Sequence, residues 1–168
     1  MIESQFFPRC ACAPERLRAI LQVFTDNEGK ISSDTNKKSS NEVLKVLRRD
    51  LESLNVRVEQ GKTNGKQINI PVLFGRNGAV DKSFCADAYD EVSKTVIEVE
   101  AGRAYTNHQF LKDLFEACVM HDVDYAVIAV RRSYRNSQDF ENVFNFMDTL
   151  YASGRMQLPL KGVLIIGY

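Results

Sequence analysis

The segment from Lys82 to Glu100 has the sequence KSFCADAYDEVSKTVIEVE. Its β-like stretches, residues 82–89 and 95–100, are separated by a short polar connection, and this arrangement predicts a β-hairpin. In the second stretch, Glu98 and Glu100 alternate with apolar residues. Because successive side chains of a strand point to opposite faces, the two carboxylates are expected on one face, about 6.6 Å apart.

Asp87, on the first strand of this hairpin, can bring a third carboxylate to the same patch. Carboxylates on a buried face are costly unless a cation or a proton compensates them. Mg²⁺ prefers oxygen ligands, and it would suit these carboxylates, a backbone carbonyl such as that of Val99 and a substrate phosphate. The residues therefore predict a Mg²⁺ site, with Mn²⁺ as a substitute, and phosphodiester hydrolysis as its chemistry. A second interpretation makes Glu98 and Glu100 the solvent-facing side of a half-buried strand.

The spacing of these acids resembles a known nuclease motif. Cys85-Ala86-Asp87 precedes Ile97-Glu98-Val99-Glu100, and ten residues separate Asp87 from Glu98. This pattern resembles the PD-(D/E)XK signature of the restriction endonuclease-like superfamily, in which an Asp is followed by Asp/Glu-x-Lys on a β-hairpin. Glu-x-Glu in place of Glu-x-Lys resembles the variant of some type II restriction endonucleases of the BamHI and BglII kind. Ala86 stands where the signature usually has proline.

The resemblance implies a role for each position of the motif. Asp87 and Glu98 would hold the metal, and Val99 would donate its backbone carbonyl to it. Glu100 takes the place of the lysine and would act as a second-metal ligand or as a base that orients water. The change from lysine to Glu100 removes a cation that would stabilise the negative charge around the phosphorus. The resemblance leaves that work to the metal or to Arg103.

Outside the hairpin, the apolar patterns predict helices and buried strands in a β-α-β-α-β order. Ser39 and Glu42 form a capping-box pattern at the start of one helix. We therefore predict an α/β fold with a central mixed β-sheet flanked by helices. Residues 1–168 would form a single domain, with an N-terminal helix and polar loop in 1–40 and a nuclease core in 41–168. The predicted helices follow Pro14, Ser39, Thr106 and Ser137, and the predicted buried strands are Tyr125–Val130 and Gly162–Tyr168.

Further local predictions concern the segments around this core. Residues 56–59 and 67–74 are predicted to pair as a hairpin, because glycines separate two β-like stretches. Residues 26–42 are mostly polar, which predicts a long solvated loop. Cys85 and Cys118 lie in apolar patterns and are expected to be small core residues.

The composition is that of a globular chain without a strong overall charge. The 168 residues are 44% hydrophobic and 26% charged, which is typical of one folded domain. Twenty-two basic and 22 acidic residues give a net charge of zero, so any attraction to DNA must be local. No apolar run is long enough to span a bilayer and the N-terminus lacks a signal-peptide pattern, so we expect no membrane partner and a cytoplasmic location.

Local basic and polar groups provide candidates for DNA contacts. Arg131, Arg132 and Arg135 follow a predicted buried strand, and loops in this position often hold substrate. Each of them could equally belong to a solvated surface. The DNA-binding candidates are Arg103, Gln109, Arg131, Arg132, Arg135, Lys37 and Lys38.

Some further titratable residues have an open assignment. Many proteins with this motif also use an acid on an early helix, for which Glu42, Asp50 and Glu52 are candidates. Glu42 could equally serve only as the capping-box partner. His108 and His121 lie at predicted helix ends, and we interpret them as solvated terminal residues rather than catalytic bases.

These residues and the resemblance together predict a Mg²⁺-dependent endodeoxyribonuclease that hydrolyses phosphodiester bonds of double-stranded DNA, of the type II restriction kind. Cutting both strands of a duplex needs two active sites or successive action, so a twofold-symmetric homodimer is expected. The alternative is a protein with a degenerate site that acts as a non-enzymatic DNA-binding or interaction module, and the absence of the motif lysine supports it. A nuclease for junctions or damaged DNA would share the chemistry and differ in its loops.

Overall fold

The chain forms eight strands and five helices among the residues that the structure describes. The structure is a computed structural model that describes residues 1–61, 63, 65–102, 104, 105 and 107–168. The strands are β1 (Glu3–Phe7), β2 (Arg57–Val58), β3 (Ile68–Phe74), β4 (Val80–Ala86), β5 (Ala88–Asp90), β6 (Thr95–Glu100), β7 (Tyr125–Val130) and β8 (Gly162–Gly167). The helices are α1 (Glu15–Asp26), α2 (Glu28–Ile31), α3 (Ser40–Ser53), α4 (Gln109–Val119) and α5 (Asp139–Ser153). Within the described ranges, no helix is long and apolar enough to cross a lipid bilayer.

A mixed sheet of six strands lies at the centre of the fold. Its strand order is β1-β8-β7-β6-β5-β2. β6, β7 and β8 are parallel, with α4 and α5 in their connections, and the outer pairs are antiparallel. β3 and β4 form a separate two-stranded sheet. This architecture confirms the predicted α/β fold with a central mixed sheet flanked by helices.

The two faces of the main sheet carry separate cores. On one face, Ile97, Val127 and Leu164 from neighbouring strands pack with side chains of α1, α2 and α3. On the other face, Ile128 and Ile165 are covered by α4 and α5. Because side chains alternate along a strand, the residues next to Ile97 in β6 point to the face covered by α4 and α5.

A buried ion pair anchors the β5–β6 hairpin to α1. Asp90 is fully buried and accepts hydrogen bonds from Arg16 Nε and Nη2, each at 2.8 Å. The backbone N–H and the hydroxyl of Ser93 also donate to Asp90. Burial raises the pKa of Asp90, but the bonds from Arg16 and Ser93 outweigh it and leave this pKa below its usual value. The turn of the predicted hairpin is therefore fixed to the first helix.

Most predicted elements form where their sequence signals lie. α1 begins directly after Pro14, and β7 and β8 form the predicted buried strands. α3 has the predicted capping box, in which the Glu42 N–H donates to Ser39 Oγ and the Ser39 N–H donates to the Glu42 carboxylate. α4 begins at Gln109, whereas its predicted cap, Thr106, lies outside the described residues.

The predicted pairing of residues 56–59 with 67–74 was wrong. β2 pairs with β5 at the edge of the main sheet, where Val58 lies opposite Ala88. β3 pairs instead with β4, its immediate successor, across the 3₁₀ turn Arg76–Gly78. A tight turn lets these two seven-residue strands pair along most of their length, so the longer strands form a sheet of their own.

Two predictions about burial also needed correction. Cys85 is exposed rather than a core residue, because it lies on β4 in the small two-stranded sheet, and Cys118 is half-buried. The segment 26–42 is not wholly a solvated loop, because α2 forms within it and Ile31 is buried against the helical core. A single apolar residue among polar ones gave too little periodicity to predict this short helix.

Strand β1 was not predicted from the sequence. It pairs antiparallel with β8, and Phe6 lies opposite Leu164. Phe6 and Phe7 enter the cores on opposite faces of the sheet. The fit around Phe6 is close, since a Cβ atom added at Gly162 would lie 2.3 Å from its ring. β1 therefore closes one edge of the main sheet through contacts far apart in sequence.

Candidate active site

Asp87 lies at the junction between the two sheets. The strand before it, β4, belongs to the small sheet, and Ala88 after it pairs with Ile97 in the main sheet. The predicted continuous strand 82–89 is thus broken at Asp87. The Asp87 carboxylate accepts the Val99 N–H at 2.9 Å. The break in the strand therefore places the Asp87 side chain beside β6, the strand that carries both glutamates.

Glu98 and Glu100 share one face of β6, the face on which α4 packs. Their register partners on β7, Ile128 and Val130, belong to the core beneath α4 and α5. Both glutamates are half-buried. This position favours the interpretation of Glu98 and Glu100 as partly buried acids over the one that places them on the solvent side of a strand.

Burial opposes the ionisation of these acids. It raises the pKa of Glu98 well above its usual value, and the charges of Asp87 and Asp113 raise it further. Burial likewise raises the pKa of Glu100, again with a contribution from Asp87. Asp87 thus lies within electrostatic reach of both glutamates. Carboxylates held together in this way repel one another when ionised, unless a cation is bound beside them.

Asp113 is a member of this cluster that sequence reasoning missed. It lies on α4, is 5% exposed and lies close enough to the Glu100 carboxyl group for each group to shift the pKa of the other. Burial and the Glu100 charge raise the pKa of Asp113 to about 8. In its ionised form, Asp113 Oδ2 has no hydrogen-bond donor among the described residues, whereas a protonated Asp113 can donate to Glu100. The sequence feature that could have identified Asp113 is an acid that interrupts the apolar helix face formed by Phe110 and Leu114.

Lys112, the neighbour of Asp113 on α4, brings a positive charge to the cluster. Its Nζ lies 3.1 Å from Glu116 Oε2 and 3.7 Å from Asp113 Oδ1. The Lys112 side chain is 59% exposed, whereas those of Glu116 and Asp113 are 15% and 4% exposed. The charge of Lys112 acts to lower the pKa values of Glu98, Asp113 and Glu100, against the larger effect of burial.

The donor chemistry of the cluster fits a divalent cation. Asp87, Glu98 and Glu100 supply only carboxylate oxygens, which Mg²⁺ and Mn²⁺ prefer, and burial makes their unneutralised charges costly. Val99, the predicted carbonyl donor, lies between the two glutamates. Across the described residues, no three His, Cys, Asp or Glu side chains are already arranged as a complete metal-binding group. The residues therefore fit the metal by type and charge, without a preformed ligand shell.

A chain of contacts connects β6 to the end of β7. The Tyr168 hydroxyl donates to the backbone carbonyl of Glu100 at 2.9 Å. Arg131, directly after β7, donates from Nη2 to the Lys38 carbonyl, and its positive charge acts to lower the pKa of the Tyr168 hydroxyl. Predicted DNA-contact residues Arg131 and Lys38 thus lie beside the backbone of the acidic strand.

The loop after β7 packs directly on the loop after β6. Gly102 has a φ of +131°, and a Cβ atom at this position would lie 2.6 Å from the Tyr134 ring. The guanidinium groups of Arg131 and Arg135 each lie 5.4 Å from the centre of that ring. Arg135 has a φ of +55° in the tight connection between Tyr134 and Ser137. Tyr134 therefore holds two arginines beside the segment that follows Glu100.

The remaining DNA-contact candidates are placed differently. Arg132 forms ion pairs with Glu3 at 2.6 Å and Asp34 at 2.9 Å, so its guanidinium is largely engaged within the protein. Gln109 is the first residue of α4, and Lys37 lies just before α3. The candidate Arg103 lies outside the described residues.

The three candidate early-helix acids all lie on α3, and the two histidines lie next to the ends of α4. Glu42 is exposed and engaged in the capping box. Asp50 Oδ2 accepts a hydrogen bond from Asn27 at 2.9 Å, and Glu52 is exposed on α3. His108 and His121 are both exposed next to the ends of α4, in agreement with the interpretation as terminal residues.

Comparison with known proteins assigns the fold. No protein-family model matches the chain, and no curated protein matches it in sequence. The structure is similar to that of restriction endonuclease BglII complexed with a DNA 16-mer, with a TM-score of 0.54, 13% sequence identity and coverage of 99% of this chain and 75% of that one. The chain has the restriction endonuclease-like fold. Free BglII is similar as well, with a TM-score of 0.50, 12% identity and coverage of 99% and 78%.

The similarity to BglII confirms the predicted restriction endonuclease-like fold. The restriction endonuclease-like fold was expected from the order of elements over about residues 40–130 and from three diagnostic positions, Asp87, Glu98 and Glu100. The likeness to BglII covers almost the whole chain, including the segments that the motif does not reach. At 12–13% identity this likeness shows the fold alone.

Proposed function

We propose that the protein is a metal-dependent endodeoxyribonuclease that hydrolyses phosphodiester bonds of double-stranded DNA. The observation that carries this proposal is that the Asp87 carboxylate lies within electrostatic reach of Glu98 and Glu100, which share one face of β6, within a restriction endonuclease-like fold. Buried acids that raise one another's pKa are costly for stability, and such groups concentrate at functional sites. Mg²⁺ is the proposed metal, with Mn²⁺ as a substitute.

Each acid of the cluster has a distinct part in the proposed reaction. Asp87 and Glu98 would hold the metal together with the Val99 carbonyl. When bound, the metal would supply Lewis-acid polarisation of the phosphate and a bound water of lowered pKa. Glu100 orients the attacking water. The water oxygen forms a bond to phosphorus while the bond from phosphorus to the leaving oxygen breaks. The water passes one proton to solvent, and the leaving oxygen takes one proton from solvent.

Asp113 is proposed to position Glu100 rather than to touch the substrate. A protonated Asp113 donates to the Glu100 carboxyl group and fixes its orientation on the α4 side of the strand. The Tyr168 hydroxyl fixes the same residue through its backbone carbonyl. Glu100 is therefore held at both its side chain and its main chain.

DNA would approach along the loops that follow β6 and β7. The proposed contacts are Arg131 and Arg135, whose guanidinium groups flank Tyr134 beside Gly102, together with Lys37, Lys38, Gln109 and Arg103. Arg132 would contribute less, because it is paired with Glu3 and Asp34. A twofold homodimer acting on both strands, in the cytoplasm, completes the proposal.

Replacing Arg135 by alanine is expected to weaken DNA binding about three- to tenfold, because it removes one phosphate-directed charge. The effect should shrink as salt concentration rises. A fluorescence-anisotropy titration with a labelled duplex, in Ca²⁺ to prevent cleavage, measures it. Arg49→Ala is the matched control, since Arg49 is an exposed arginine on α3 whose charge is paired with Asp50. Equal losses in the two variants would contradict a specific role for Arg135.

The proposed activity is tested by incubating supercoiled plasmid with the purified protein in Mg²⁺, Mn²⁺ or EDTA. The expected result is nicking or linearisation in either metal and none in EDTA. Cleavage that persists in EDTA would contradict metal dependence, and no cleavage under any condition would contradict the nuclease proposal.

A second candidate is a DNA-binding module with a degenerate site. Glu100 at the motif lysine position favours it, as does the Asp87 carboxylate, which accepts the Val99 N–H. The plasmid experiment separates the candidates when combined with a gel shift. Retarded DNA without cleavage in Mg²⁺ or Mn²⁺ would support the module over the nuclease.

A further inference from the structure

We propose that Lys112 of α4 is a catalytic residue that supplies the positive charge missing from the motif. The inference rests on the proposed nuclease function. Attack on a phosphodiester increases the negative charge on the oxygens around phosphorus, and a positioned cation lowers the energy of that state. The motif position that would carry such a cation holds Glu100, so the charge must come from another element.

Lys112 reaches the cluster from the helix rather than from the strand. Its Nζ lies 3.7 Å from Asp113 Oδ1, and its charge acts on both Glu98 and Glu100. The ammonium group is therefore within electrostatic reach of the two glutamates of β6. With a side chain that is 59% exposed, Lys112 is accessible to an incoming phosphate, while the more buried carboxylate of Glu116 holds its Nζ at 3.1 Å.

Helix stability does not explain a lysine at this position. Lys112 lies in the first turn of α4, which begins at Gln109, and the helix dipole disfavours positive charge there. Its partner Glu116 lies four residues toward the C-terminus, which is the less favourable order for a helical ion pair. Ion pairs between residues four apart on a helix contribute little to stability. The charge is thus placed where it serves the acid cluster better than the helix.

The test compares single-turnover cleavage of plasmid in Mg²⁺ with duplex binding in Ca²⁺, using the full chain. Lys112→Met is expected to cleave about 100-fold more slowly, the loss typical of one removed transition-state donor, while the dissociation constant for DNA stays within about threefold. Lys112→Arg should recover at least about tenfold of the lost rate, because it restores the charge. Lys161→Met is the matched control, since Lys161 is 63% exposed and pairs with Asp124 at 2.8 Å. It should stay within about twofold of the wild type.

Glu116→Gln separates catalysis from the ion pair. It breaks the same pair as Lys112→Met but leaves the ammonium group in place, so it should lose far less rate. Equal losses in these two variants, or a Lys112→Met rate within about threefold of wild type, would overturn the inference alone. A loss of DNA affinity that matches the loss of rate would overturn the transition-state role. A folded wild type that does not cleave would overturn both this inference and the proposed function.

Discussion

Glu98→Gln is expected to lower the rate of DNA cleavage about 1,000-fold, at the upper end of what loss of a single electrostatic group costs an enzyme. Glutamine keeps the size and hydrogen-bonding capacity of the side chain but removes the charge that would hold the metal. Single-turnover plasmid cleavage at saturating Mg²⁺ measures the effect. A Glu98→Gln rate close to that of the wild type would remove Glu98 from the proposed site.

The same substitution should leave the fold intact and raise its stability in metal-free buffer. Burial and the charge of Asp87 disfavour the ionised Glu98, so a neutral side chain relieves a cost that the wild type carries. Urea unfolding in EDTA would show this as a higher midpoint. Activity lost while stability rises cannot be attributed to misfolding.

Glu91→Gln is the matched control on the same hairpin. Glu91 lies in the turn between β5 and β6, and its carboxylate pairs with Arg57 at 2.8 Å at an exposed position. The proposed mechanism requires no charge there. Cleavage by Glu91→Gln should therefore remain within about twofold of wild type, since isolated surface pairs are worth little. A loss comparable to that of Glu98→Gln would show that the assay reports hairpin integrity rather than chemistry.

The central part of the fold could be predicted because its signals are local. Strands β7 and β8 are nearly continuous apolar runs, and α3 carries both an apolar stripe and a capping box. β1 escaped prediction because its pairing with β8 joins Phe6 to Leu164 across the length of the chain. The pairing of β2 was predicted wrongly for a related reason, since a two-residue strand is defined by its partner β5 rather than by its own sequence.

The candidate site was likewise only partly visible in the sequence. The alternation in β6 was enough to place Glu98 and Glu100 on one face, because the period of a strand is fixed. Asp113 and Lys112 join the site through the packing of α4 on that face, which no spacing in the sequence encodes. A buried acid within an apolar helix face is the kind of local conflict that marks functional positions. Asp113 could have been selected on that ground.

Asp113→Asn is expected to change how the stability of the metal-free protein depends on pH. Burial and the Glu100 charge raise the pKa of Asp113 to about 8 in the folded protein, whereas an unfolded chain would give about 3.9. Between these values the folded state keeps a proton that the unfolded state has lost. The contribution of Asp113 to the free energy of unfolding is therefore fully present below about pH 4 and is lost as pH rises to about 8. This free energy falls by up to about 1.4 kcal/mol per pH unit in that range.

Asparagine removes this loss, because its amide stays neutral and can still donate to Glu100. The free energy of unfolding of Asp113→Asn relative to wild type should thus increase by about 2 to 4 kcal/mol between pH 5 and pH 8. Urea unfolding in EDTA at constant ionic strength, repeated at each pH unit, measures this difference. Adding Mn²⁺ should reduce this difference between Asp113→Asn and the wild type, since a cation bound by the cluster offsets the repulsion between its carboxylates.

Asp50→Asn provides the control, because the pKa of Asp50 is lowered in the folded protein whereas that of Asp113 is raised. Hydrogen bonds from Asn27 and Arg49 lower the pKa of Asp50, so this carboxyl is ionised in both states above pH 5. Its replacement should change stability by the same amount at every pH in the range. If Asp113→Asn also ran parallel to wild type from pH 5 to pH 8, Asp113 would not hold a proton in the folded protein. The proposed hydrogen bond that positions Glu100 would then be lost, and Glu100 would have to be held by Tyr168 alone.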